Sequence, residues 1–346
     1  MIEFDPCVLH DFASRLLQAA GTPLESANLV TKMLIEGDRS GHGSHGLIRL
    51  PLYIKSIATG QLNPEAKPTV VKRTPVTALI DGGRGFGQVT TSFAVDCGLE
   101  IVAQRGLAAV ATKRVFHFGR LGDYPERAAR EGWIALAWAN GLRTPPTVAP
   151  FGGAKAAHGT NPFAAAIPRS AGQDPIVVDF ATARLAEGKI QLRRNRGDTV
   201  PAGVLLDNQG KATTDPNALY EGGALLTAGE HKGYGLSVVC DLLAGLLTGT
   251  GSPCMPGSVG GNPIMLILLD PACFRLPDDF LHDVDRFCEI VKSTPPTEGH
   301  GEVLMPGDPE HAQRRKNAKT IPLDESTWQL LVEEATSQSV RLPEPK

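Results

Sequence analysis

Gly41-His42-Gly43-Ser44-His45-Gly46 matches the dinucleotide-binding pattern G-x-G-x-x-G letter for letter, yet it follows a segment of helical periodicity and not a strand. The pattern binds a pyrophosphate only where a strand, a tight turn and a helix N-terminus meet. Nothing else in the chain replaces it. A Rossmann-type nucleotide site is therefore rejected, although by pattern alone the middle of the sequence, with alternating strands and helices, resembles a doubly wound sheet.

The same run carries the chemistry. His45 and Arg49 lie four residues apart ahead of Leu47, Leu50, Ile54 and Ile57, which recur at helical spacing. A helix that includes His45 would set the imidazole and the guanidinium on one face. A planar guanidinium can clamp a carboxylate by two parallel hydrogen bonds while a proton donor faces the neighbouring carbonyl. The implied chemistry is reduction beside a carboxylate. The competing reading of these residues is a Ser-His helix cap beside a solvated arginine.

Composition narrows the classes. The chain has 346 residues, 42% hydrophobic and 21% charged, enough for a large core with more than one domain or subdomain. A net charge of −3 gives no general attraction for nucleic acid. The longest apolar runs, such as Pro263 to Leu269, fall far short of the roughly 20 residues that cross a bilayer. Met1-Ile2-Glu3-Phe4-Asp5 lacks the basic and then apolar order of a secretion signal, which points to the cytoplasm and away from a membrane. Six cysteines without C-x-x-C spacing read as reduced packing residues.

Along the chain, three helices are expected first, with Gly21-Thr22-Pro23 and Gly60 as breaks. A change of character near residue 69 marks a new subdomain. Strands are expected at Val70-Val71, Val76 to Ile80, Leu107 to Val115, Trp133 to Ala139, Phe163 to Ile167, Ile176 to Asp179 and Ile264 to Leu269. Helices are expected over Val89 to Gln104, Tyr124 to Arg130, Tyr234 to Leu247, Phe280 to Val291 and Glu325 to Ala335.

Several further groups can carry chemistry. His117 follows a strand and can exchange a proton near neutral pH, or pack between Phe116 and Phe118. Gly159-Thr160-Asn161-Pro162 combines close backbone approach with two hydrogen-bonding side chains. Asp179 to Thr182 ends a buried strand with an acid and a hydroxyl. His231-Lys232-Gly233 precedes a helix whose free N–H groups, with Lys232, suit an anionic phosphate. A metal site from His42 and His45, with Asp38 and His117 as additions, lacks the glutamate of H-E-x-x-H, and no metal is expected.

Taken together, Asp38 to Gly46 with Arg49-Leu50-Pro51, His117-Phe118-Gly119, Ala149 to Gly153, Gly159 to Pro162, Val178 to Thr182, His231 to Leu236 and Leu304 to Asp308 resemble the malate/L-lactate (sulfolactate) dehydrogenase family, in the family's order and over nearly the whole chain. The resemblance implies a mixed α/β (α+β), non-Rossmann sulfolactate-dehydrogenase-like fold: a largely antiparallel central sheet and a helical subdomain. It places a helical N-terminal part at 1–68, joined by a C-terminal helix over 309–346, and a nucleotide-binding catalytic part at 69–308.

It also implies an NAD(P)-dependent oxidoreductase that interconverts a 2-hydroxy acid and a 2-oxo acid, as a homodimer, with NAD as cofactor and NADP as the alternative. His45, His117 and Arg49 match catalytic positions, and Ser44, Arg49 and Thr160 match substrate contacts. Asn140, Gly141, Val178, Asp179, Phe180, Ala181, Thr182, Lys232, Gly233, Pro306, Gly307 and Asp308 match cofactor-contacting stretches. Gly119 to Tyr124 resembles the hydroxycarboxylate (hydroxyphenylpyruvate-reducing) branch most. Ala183 departs from the serine common there, and Lys113-Arg114-Val115-Phe116 is more basic and apolar than the family's polar run. The alternatives are a cyclic imino acid reductase on the same fold and, from another class, a histidine-cluster metal hydrolase or a silent binding protein. Arg193, Arg194 and Arg196 are candidates for a 2′-phosphate or a solvated helix end.

Overall fold

The computed structural model describes residues 1–141, 145–258 and 260–345, without the side chain of Leu192. Strand β1 (Ile2–Phe4) leads into α1 (Pro6–Ala19), which starts cleanly because the Asp5 side chain accepts the Cys7 N–H at 2.8 Å and Pro6 stands in the first turn. α2 (Leu24–Arg39) and α3 (Leu50–Ala58) follow, separated by two short 3-10 turns, Gly43–His45 and Leu47–Arg49. Leu9, Phe12, Leu16, Val30, Leu34, Leu47 and Leu50 from these helices form one apolar core. Phe86 and the C-terminal Ile321, Leu323, Trp328 and Leu331 complete it.

The central sheet is built from β2 (Thr69–Arg73), β3 (Thr77–Gly85), β4 (Leu107–Val115), β5 (Ile134–Ala139), β6 (Pro162–Ile167), β7 (Ile176–Ala181) and a later strand, Ile264–Leu269. Its order is β2-β3-β4, then Ile264–Leu269, then β5-β6-β7. Every neighbouring pair is antiparallel except β3 and β4. A parallel pair needs a crossover, and α4 (Gly87–Arg105) supplies it. Gly98 lets α4 sit close, since an added Cβ there would lie 2.8 Å from Leu268 Cδ1. The central strand is apolar at every position because it is covered on both faces. The sheet is thus largely antiparallel, as the resemblance implied and the helix-strand alternation alone did not.

α5 (Asp123–Arg130) packs on β5 and β6. α6 (Glu187–Arg196) precedes a small sheet of β8 (Leu205–Leu206), β9 (Ala212–Thr213) and β10 (Ala224–Leu225). α7 (His231–Cys240) runs on into a π-helical turn, Asp241–Leu246, where the sequence suggests one uniform helix. The central strand Ile264–Leu269 is β11, and α8 (Pro277–Lys292) follows it. The C-terminal stretch is not a single helix. α9 (Asp308–Lys316) gives way to β12 (Ile321–Leu323), which pairs with β1, before α10 (Glu325–Ser337).

The π turn exists for a packing reason. Gly245 faces the buried Asn140, and an added Cβ would lie 2.1 Å from Asn140 Nδ2 and 2.3 Å from the Gly251 carbonyl oxygen. Asn140 Nδ2 donates to that same carbonyl at 3.0 Å. Gly245→Ala should therefore cost about 3 kcal/mol in urea unfolding, since backbone cannot step aside cheaply. Gly235→Ala on the same helix, with nothing within 4 Å of the new Cβ, should be neutral or gain about 0.5 kcal/mol.

Candidate active site

The turn that carries His45 is shaped by α2 beneath it. Asp38 Oδ2 accepts the Leu47 N–H at 2.8 Å, and the carboxylate fills the space a Gly46 side chain would need, with Oδ1 1.9 Å from an ideal Cβ. Gly37 packs under the His45 carbonyl. Gly46 is extended at φ −89° and ψ −152°, so His45 and Arg49 do not share one helix. That corrects the expected geometry and keeps its outcome: Arg49 Nε donates to the Ser44 carbonyl at 2.6 Å, which folds the guanidinium back toward His45. Its two terminal nitrogens have no partner among the described residues and could take a carboxylate.

His117, at the end of β4, stacks on His45 with ring centroids 5.8 Å apart and 17° between planes. His117 Nδ1 lies 2.7 Å from Tyr53 Oη and accepts the Gly119 N–H at 3.2 Å. Gln88 Nε2 donates to Tyr53 Oη at 2.8 Å. Ser44 Oγ lies 3.1 Å from His45 Nδ1. Loss of water around His45, then repulsion from Arg49, His42 and Arg120, pulls its basicity down to about 3. Burial, then Arg49 and His45, holds His117 well below the ordinary histidine value. Both imidazoles are neutral at pH 7 in the free protein.

Gly188 at the start of α6 completes this wall, because an added Cβ there would meet Ser44 Cβ at 3.2 Å and Arg49 Nη2 at 3.9 Å. His42 does not join the pair. Its Nε2 meets Glu310 Oε1 of α9 at 3.0 Å, and among the described residues no group of three or more His, Cys, Asp or Glu side chains converges as a metal site.

The expected cofactor-contacting stretches lie along the edge formed by β6, β7 and the start of α7. Thr182 N donates to the Thr160 carbonyl at 3.0 Å, and Asn161 Oδ1 accepts the Gly141 N–H at 3.1 Å. Gly233 is pressed against the carbonyls of Ala228 and Thr182, at 2.0 and 3.0 Å from an ideal Cβ. The Val177 N–H donates to the Pro306 carbonyl, and Gly307, at φ 96°, lies against the same residue. Phe180 and Lys232 are exposed, Val178 and Ala181 half-buried. Two carboxylates are already committed: Asp179 Oδ2 accepts from Gly122 N at 2.8 Å, and Asp308 Oδ2 from Met305 N at 2.9 Å while pairing with Lys292.

These positions fit a nucleotide. The Asn140 side-chain oxygen is buried with no partner among the described residues, and glycines 233 and 307 let the chain pack where a Cβ would press on neighbouring backbone. The arginines of α6 are placed differently: Arg193 Nη1 donates to the Thr199 carbonyl, and Arg194 donates to Asn217 and lies 4.5 Å over the Tyr220 ring. They serve the end of α6 and its neighbouring loop.

Sequence reasoning did not single out Tyr53, Gln88 or Arg120. Tyr53 stands four residues after Arg49, the spacing that puts it on the same side of α3, so a signal was present. Gln88 and Arg120 reach the site only through the fold.

The site and fold define an oxidoreductase class built on an antiparallel sheet, and the comparisons give the family. A family profile described as malate/L-lactate dehydrogenase matches residues 4–332, and the chain belongs to that family. It is 36% identical over 336 residues to an L-lactate dehydrogenase of Cupriavidus necator, covering 96% of each chain. It is 35% identical over 349 residues to hydroxycarboxylate dehydrogenase B of Escherichia coli, covering 99% of this chain and 95% of the other. The fold matches a Δ1-piperideine-2-carboxylate reductase from Pseudomonas syringae with a TM-score of 0.84 and 30% identity, over 97% of this chain and 100% of the other.

Asp38 makes the site turn pH-sensitive. Burial, opposed by the Leu47 N–H and reinforced by Asp324, raises its carboxyl from 3.8 to about 7. Between about pH 4 and 7 the folded chain keeps a proton that the unfolded chain has lost, so this group's contribution to stability falls as pH rises and is flat above 7. Asp38→Asn keeps an oxygen for Leu47 and cannot ionise. Urea unfolding across that range should show a shallower loss toward pH 7 in the variant than in the wild type.

Proposed function

We propose that the protein is an NAD(P)-dependent 2-hydroxy acid dehydrogenase in which Arg49 clamps the substrate carboxylate and a histidine of the His45/His117 pair exchanges the proton on the substrate oxygen. The observation that carries this reading is that His117, just past the end of β4, stacks on His45 beside the Arg49 guanidinium of the adjoining turn. A bound nicotinamide supplies or receives the hydride at substrate C2.

His45 is the proton-exchanging group in this reading. Its Nδ1 faces the Ser44 hydroxyl, which donates or accepts and so tolerates either protonation state. Arg49 orients the carboxylate and polarises the adjacent carbonyl. Ser44 and Thr160 lie on the substrate side. Asn140, Gly141, Val178 to Thr182, Lys232-Gly233 and Pro306 to Asp308 hold the nucleotide, with backbone groups acting where the Asp179 and Asp308 carboxylates are engaged.

The cofactor is assigned as NAD, supported by the engagement of Arg193 and Arg194 away from any free 2′-phosphate fork. A homodimer is supported by Val239, Leu242, Leu246 and Leu247, exposed along α7 and its π turn, and light scattering should give twice 36.7 kDa. The division into 1–68 with 309–346 and 69–308, and a cytoplasmic setting for six unbridged cysteines, belong to the same proposal.

The deciding assay follows oxidation of NADH and NADPH with a panel of 2-oxo acids, with a cyclic imine as the competing substrate. The imine reductase seen among the fold's relatives is the second reading, and preferential turnover of the imine would replace the first. Arg49→Lys should lower kcat/KM by about 2–4 kcal/mol in transition-state binding, because an ammonium cannot reproduce the paired hydrogen bonds. Near-normal kinetics in that folded variant would remove the clamp.

A further inference from the structure

Tyr53 is fully buried, and its ring is gripped edge-on by Phe86 and Phe116 at centroid distances of 5.8 and 6.0 Å. A buried phenol of this kind has to place its hydroxyl proton somewhere. The Tyr53 oxygen receives the Gln88 Nε2–H, and its remaining neighbour is His117 Nδ1 at 2.7 Å. With the Gln88 amide nitrogen turned to the phenol in this way, the hydroxyl donates to the imidazole. The Gly119 backbone N–H, which can only donate, converges on the same nitrogen at 3.2 Å.

Two donors aimed at one ring nitrogen leave no room for a proton on it. We infer that Tyr53, backed by Gln88, is a positioning residue that locks His117 as the tautomer with the proton on Nε2, so that His117 serves as a fixed hydrogen-bond donor to the substrate oxygen. This rests on the reading that His117 faces substrate.

The charged and titratable groups around His117 agree with the lock. Arg49 from the second 3-10 turn and His45 from the first both oppose an imidazolium. Tyr53 of α3 is itself pushed above its ordinary range by burial, so the phenol keeps its proton at every working pH. Tyr124 of α5 donates to the Phe118 carbonyl at 2.5 Å and pins the backbone beside His117. A neutral imidazole held with its N–H toward a carbonyl stabilises developing negative charge without giving the proton up. The two histidines then divide the work: a fixed donor in His117 and a group of free tautomer in His45.

The test uses the full-length protein labelled with 15N-histidine, with His117→Gln identifying the His117 resonances. In the wild type Nδ1 should show a pyridine-type shift and Nε2 a pyrrole-type shift. Tyr53→Phe keeps the ring contacts and removes only the hydroxyl. It should mix the two tautomers and lower kcat about tenfold on the best 2-oxo acid of the panel, with KM for the reduced nucleotide unchanged. Gln88→Met, which frees the phenol to turn, should move the shifts in the same direction by a smaller amount.

A pyrrole-type Nδ1 in the wild type overturns the inference. So does a folded Tyr53→Phe protein with wild-type shifts and kcat within about twofold of normal. Full turnover in His117→Gln would instead overturn the placement of His117 at the substrate, and the shifts would still report on the lock.

Discussion

Arg120 lies at 4% exposure among three carboxylates, with Asp123 at 3.0 Å, Asp179 at 3.3 Å and Glu126 at 3.8 Å. Arg314 of α9 enters the same cluster from the other side and reaches Glu36 of α2 and Glu126 of α5. The cluster joins α2, α5, β7 and α9. Such a network gains little over apolar packing, yet removing one member strands a buried charge at about 3–5 kcal/mol. It acts as a register pin, because each element has one position at which the charges meet. The Glu126 carboxyl is held below its ordinary value, although burial opposes this, because it takes both Arg314 and Arg130. Asp123 is pushed by burial up to about 6, and Asp179 is raised for the same reason, Arg120 opposing both shifts.

The turn that carries His45 hangs from this pin. α2 ends at Arg39, one residue after the Asp38 that caps Leu47, and Glu36 on the same helical end holds Arg314. His42 ties the turn to Glu310 of α9. The glycines of the turn read as a nucleotide fingerprint by letter, but their physical task is different. They give room to the Asp38 carboxylate and allow the extended backbone at Gly46 that swings Arg49 back over Ser44.

That distinction explains how much of the molecule was legible in sequence. Strands 107–115 and 264–269 are recovered to the residue because alternation and apolar runs are local signals. Which strands pair is not local. The helix-strand alternation fits a parallel sheet equally well, and only the motifs shared with the family pointed to antiparallel order. A helix through His45, on which the shared face depended, does not form: Asp38 fills the space beneath Gly46, a contact made across a chain reversal. The π turn in α7 escaped for the same reason: Gly245 meets Asn140, more than a hundred residues earlier. Arg49 and the two histidines stand out as candidates because their residue types carry chemistry, and the fold brings them together, while Tyr53 reads as an ordinary buried aromatic until His117 is placed beside it.

The histidines and the arginine cannot be treated separately. Burial depresses the basicity of both imidazoles first, and Arg49 depresses each of them next. A carboxylate on the two free nitrogens of Arg49 cancels that second effect, because an opposite charge at hydrogen-bond distance offsets the field the guanidinium casts on its neighbours. His117 feels the same change, but with Nδ1 locked as inferred above it has no free nitrogen at which to take a second proton. His45 gains, because its Nδ1 partner is a hydroxyl that can turn from donor to acceptor and leave the ring free to hold a second proton. Under the proposed function the substrate carboxylate is then part of the acid–base chemistry: by binding Arg49 it would raise the basicity of His45, the histidine assigned to exchange the proton, as the reacting oxygen arrives beside it.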